Sequence, residues 1–132
     1  MFYEDFDDIE NLKKSYHITD EDLEGVDILY SEYECYPYEG YSIVLFKKDE
    51  KLFIVEASHC SCDALEGKWD PIETCEEALR IEIKAKSNSY FIQFESFIEF
   101  CYAYFKWERK WSLNLTLASQ FLPLRALRKL SF

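Results

Sequence analysis

The chain has 132 residues, 26 acidic against 15 basic, for a net charge of −11. That length suits one domain of ordinary size and is short for two. Aromatic residues make up 18% of it, with only three Gly and three Pro, which excludes disordered, collagen-like and low-complexity classes. The acidic balance argues against a sequence-independent grip on phosphate backbones.

In chain order, Phe6, Ile9, Leu12 and Tyr16 recur at helical spacing between acidic and polar residues. They predict an amphipathic helix over about residues 4–16. Thr19 stands three residues before Asp22, as in a capping box, and a one- or two-turn helix ending at Gly25 is expected. His17, alone near a helix end, reads as a surface residue.

The period then changes. Residues 27–36, 41–46 and 52–57 read as three strands of an antiparallel meander. A turn at residues 37–40 and a charged hairpin loop at 47–51 join them. The run Ile43-Val44-Leu45-Phe46 is apolar on both faces, which places that strand centrally with helices packed against it. The Asp70-Pro71-Ile72-Glu73 string reads as a helix start, with a helix over 71–86 burying Ile72, Cys75, Leu79 and Ile83. A Phe- and Tyr-rich helix is expected over about 90–111, apolar nearly all round. The fold class is therefore α+β in a single domain, 1–132. Residues 27–86 form its sheet-plus-helix scaffold and 87–132 an aromatic, basic extension.

Charge is uneven. Residues 1–39 carry 13 acids and 2 bases, whereas residues 101–132 carry 1 acid and 6 bases. Solvated faces that keep the protein in solution account for this most simply. An acidic front attracting a basic tail, or two surfaces for separate partners, are the alternatives.

The most unusual string is Ser58-His59-Cys60-Ser61-Cys62-Asp63-Ala64-Leu65-Glu66-Gly67-Lys68-Trp69. With its flanks, over about residues 28–85, it resembles a group of small bacteriophage and prophage proteins of unassigned function. Members carry a hairpin ending in S-H-C-S-C-x-x-L-E-G-x-W, followed by a helix. The resemblance implies a phage-type protein in a bacterial host, and no catalytic role.

The residues themselves leave several readings. His59, Cys60, Cys62 and Cys75 have the donor chemistry of a zinc shell. The C-x-C spacing is tighter than zinc sites favour, and His59 points away from its neighbours in an extended segment. Cys60 and Cys62 could instead form a redox pair or serve a thiol-dependent enzyme. The simplest reading is packing: small buried cysteines, a hydrogen-bonded His59, and Leu65 and Trp69 covering the sheet. In that reading no cofactor is needed. The odd count of five cysteines and the absence of a secretory leader lead to an expectation of reduced thiols in the cytoplasm. No segment reads as a membrane span.

The functional expectation is a non-enzymatic accessory protein that binds a host protein. Asp5, Asp7, Asp8, Asp20, Glu21, Asp22 and Glu24 would present an acidic array to a basic, nucleic-acid-binding partner, as a counter-defence (anti-CRISPR-like) inhibitor does. Nucleic acid itself is not a partner in that reading. Trp107 and Trp111 are added as aromatic contact residues. A homodimer through residues 90–111 is a further expectation. A zinc-stabilised structural module and a thiol enzyme remain the alternatives.

Overall fold

The structure, a computed structural model, describes residues 2–4, 6, 8–60, 64–85 and 95–108. Its elements are β1 (Phe2–Glu4), α1 (Ile9–Tyr16), β2 (Asp27–Cys35), β3 (Glu39–Lys48), β4 (Lys51–Cys60), β5 (Ile72–Thr74), α2 (Glu76–Ala85) and α3 (Glu95–Tyr104). The α+β class holds. The sheet has five strands in the order β1-β2-β3-β4-β5 rather than the three expected. β2 to β5 are antiparallel neighbours, and β1 adds in parallel to β2.

The two extra strands correct two expected helix ends. The first helix starts at Ile9, not near residue 4, because the Asp8 carboxylate accepts a 2.9 Å bond from the Asn11 N–H. An N-cap holds its own residue in extended backbone, so the chain before it is free to pair with β2. The second correction lies at Asp70-Pro71. Residues 72–74 pair with Leu52–Ile54 and cover an edge that β4 would otherwise leave open. The α2 cap is then Cys75, whose sulfur accepts from the Ala78 N–H at 3.5 Å and whose carbonyl accepts from Leu79. Leu79 and Ile83 are buried as expected, whereas Ile72 is 61% exposed and Cys75 is exposed. Residues 19–25 form turns rather than a helix, although Thr19 and Asp22 do exchange the capping bonds. Of the expected helix over 90–111, residues 95–104 are α3; 90–94 and 109–111 lie outside the described residues.

The sheet has two covered faces. Successive strand side chains alternate between them. Tyr30, Ile43, Leu45 and Ile54 pack against Leu79 and Ile83 of α2 and Phe97 and Cys101 of α3. On the other face Val44, Phe46, Val55 and Ala57 pack against Phe6, Leu12, Tyr16 and Leu65. A register shift between Ile28 and Tyr30 assigns the faces on β2. One extra residue on a strand inverts the alternation beyond it. Ile28 therefore joins the α1 face, whereas Tyr30 joins the α2/α3 face. The β3–β4 turn is tight, with Asp49 and Glu50 both at positive φ, the backbone that suits a two-residue hairpin. No helix among the described residues is long and apolar enough to cross a membrane.

Candidate functional site

The structure separates the candidate metal ligands. Gly40 pairs with His59 at one end of β4, whereas Thr74, next to Cys75, pairs with Leu52 near the other. Seven residues of strand at about 3.3 Å each put roughly 23 Å between the two positions. Cys75 therefore cannot share a zinc ion with His59. Cys60 is disulfide-bonded, which corrects the expectation of reduced thiols: a disulfide needs only two sulfurs in reach, whatever the sequence implies about compartment. While that bond is intact Cys60 is neither a thiolate donor nor a nucleophile. Cys62 lies outside the described residues. Among the described residues no group of three or more His, Cys, Asp or Glu is placed to hold a metal ion. Cys35 and Cys75 are exposed, and Cys101 is buried. Burial pushes the Cys101 thiol up to about 12, which leaves it protonated and unreactive.

The corner around His59 is a built hydrogen-bonded arrangement. Its Nδ1 lies 2.9 Å from the Cys60 carbonyl oxygen. A carbonyl only accepts, so Nδ1 carries the proton, and in the neutral ring Nε2 accepts from the Tyr33 hydroxyl at 2.7 Å. The ring lies across β3 at Gly40. A Cβ there would clash with the ring edge, 2.7 Å from Cε1, so the middle strand needs glycine to let His59 reach β2. Trp69 closes the same face, stacked on Phe46 and edge-on to Tyr16. His17 sits at the left-handed C-cap of α1, 3.4 Å from Glu66, at the surface as expected.

The acidic front is exposed. Asp8 and Glu10 stand on the first turn of α1, and Asp20, Glu21, Asp22 and Glu24 on the turns that follow it. Lys13 joins the two groups by pairing with both Glu10 and Asp20. These hydrogen bonds, that to Asp20 first, raise its pKa above the usual lysine value. Asp5 and Asp7 lie outside the described residues, as does Trp111. Trp107 is not a surface contact. It is buried, stacked on Phe105, and its Nε1–H donates to Glu76 at 2.9 Å, tying the end of α3 to the start of α2. Trp107 thereby joins the cluster that Tyr30, Ile43, Leu45 and Ile54 form on this face of the sheet.

Sequence reasoning missed the carboxylates on the α2/α3 face. Glu32 is 1% exposed and accepts from the Tyr30 hydroxyl. Glu56 stands in the same cross-strand row, with Ile43 between them. Burial, and then the Glu82 carboxylate, push Glu56 up to about 7. The available signal was alternation: once Tyr30 is inward, Glu32 must be too.

Comparison with protein-family models, with curated proteins and with solved structures gives no match for this chain.

Proposed function

We propose that the chain is a non-enzymatic, phage-type binding protein whose acidic front docks on a basic host protein. The observation that supports this reading is the exposure of Asp8, Glu10, Asp20, Glu21, Asp22 and Glu24 on α1 and the turns after it, bridged by Lys13. Carboxylates fixed on a folded surface can occupy a groove built for phosphates, and their field speeds encounter with it. The partner class is a nucleic-acid-binding protein in the bacterial cytoplasm, such as a nuclease or a guide-RNA complex. Nucleic acid itself is repelled. The zinc alternative has less support, because Cys75 is remote from His59 and a disulfide-bonded Cys60 supplies no thiolate ligand.

The test is inhibition of host nucleases and guide-RNA complexes at saturating protein, in low and in high salt. Binding that weakens steeply with salt, and that Asp20→Asn with Glu21→Gln and Glu24→Gln reduces about tenfold or more, is the expected result. Unchanged nuclease activity across the panel removes the proposal.

A further inference from the structure

We infer a second recognition surface, a tyrosine–carboxylate patch at the β2–β3 end of the sheet that takes the guanidinium side chains of an arginine-rich protein segment. This rests on the reading above, in which the partner is basic, and names a second place where it is held.

The patch is built by the hairpin. Glu34 and Tyr41 are cross-strand partners, and Cys35 pairs with Gly40 beyond them. The Tyr36 N–H closes the turn on the Glu39 carbonyl at 2.7 Å. The Tyr36 hydroxyl donates to Glu34 Oε2 at 2.8 Å, and the Tyr41 hydroxyl to Glu39 Oε2 at 2.8 Å. Each tyrosine is thus paired with a carboxylate two residues away. The Tyr30–Glu32 pair repeats the pattern farther in on the same face. At the apex the aromatic surface is open: Tyr38 is 80% exposed and Tyr36 49%.

A turn needs no large aromatic residues at its tip; small polar residues serve it better. Here two tyrosines flank Pro37, and the carboxylates beside them are already held in place. Guanidinium chemistry fits that pattern. It is planar, so it stacks on a phenol ring while its N–H fork reaches the adjacent carboxylate. A lysine ammonium supplies charge but neither the plane nor the fork. Because the hydroxyl bonds pre-order both glutamates, less side-chain freedom is lost on binding. Glu24 lies just before the start of β2 and the patch at its end, about 26 Å apart for eight residues of strand, whereas Asp8 follows Phe6, whose ring meets Tyr33 at 5.2 Å. A basic segment engaging one does not automatically engage the other.

The experiment is an NMR titration of the full-length, isotope-labelled chain with a short oligo-arginine peptide and, in parallel, an oligo-lysine peptide of equal length. The expected result is amide shifts at residues 34–41 with the arginine peptide, and weaker binding at that site for the lysine peptide. Tyr36→Leu with Tyr38→Ser should weaken binding there about tenfold, and Glu39→Gln should weaken it without altering the fold. The triple change at Asp20, Glu21 and Glu24 should leave the shifts at 34–41 in place. Shifts confined to residues 8–25 would overturn the patch while leaving the acidic front intact. So would equal binding of both peptides with the tyrosine changes silent, or a homodimer seen by light scattering that Tyr38→Ser dissociates. The nuclease assay can fail independently, so the two readings are separable.

Discussion

The two faces of the sheet settle their buried polar groups differently. Under α1 the pairs are neutral: the Tyr16 hydroxyl donates to Ser42 at 2.8 Å, and Tyr33 donates to His59. Under α2 and α3 the polar groups are carboxylates, Glu32 against Tyr30 and Glu56 facing Glu82. A hydroxyl–hydroxyl pair such as Tyr16–Ser42, once made, is indifferent to most of the pH range. A carboxyl removed from water holds its proton or requires compensation. The α1 face is therefore a lock built from shape and neutral bonds. The α2/α3 face is an apolar layer whose stability carries a charge cost. The bulge at Leu29 decides which strand residues fall on which side.

The largest test of this contrast is removal of bulk from the α3 side. Phe97 is fully buried and meets Tyr30 edge-on at 5.4 Å between ring centroids. Phe97→Ala should lower unfolding stability by about 3–5 kcal/mol in a denaturant titration. A loss under about 1 kcal/mol would mean that α3 is not part of the core. On the α1 side the sharpest probe is Gly40→Ala. The new methyl and the His59 ring cannot share the space, so the ring must leave and the Tyr33 bond with it. A loss of about 1–3 kcal/mol is expected. His59→Ala in the same chain should relieve the clash, so the double variant should be less destabilised than the sum of the two singles. Strict additivity would show that the ring does not lie over Gly40.

Much of the two-sided sheet was legible in the sequence, its buried carboxylates were not, and the misses have identifiable reasons. The run Ile43–Phe46 marked the central strand because only a strand covered on both sides tolerates it. Leu79 and Ile83 were legible from helical spacing. Residues 2–4 were not, because three residues carry too little pattern to separate a strand from a helix turn. Pro71 reads as well at a helix start as before a short edge strand, and only the open edge of β4 chooses between them. Among the candidate site residues, the exposure of Asp8, Asp20, Glu21, Asp22 and Glu24 followed from their charge. Trp107 misled because an aromatic residue in a basic tail looks like a contact residue until a partner such as Glu76 is found for its N–H. The separation of Cys75 from His59 needed strand register, which spacing alone does not supply.

The smallest expected effect is also the most specific to the α2/α3 face. In the folded chain Glu56 keeps its proton up to about pH 7, whereas an ordinary glutamate gives it up near 4.5. Between those values the folded state binds more protons than the unfolded one, so stability falls as pH rises through that window. It is fully present below the lower value and lost above the upper. Because Glu56 is only partly buried, solvent screens much of the effect, and about 1 kcal/mol is the expected size. Glu56→Gln keeps the shape and removes the titration. The variant should match the parent at about pH 5 and exceed it at about pH 8, with the gap closing part way when Glu82→Gln is made in the parent instead. Should the gap be absent at every pH, the α2/α3 face would be as indifferent to charge as the α1 face, and the contrast between them would be one of packing alone.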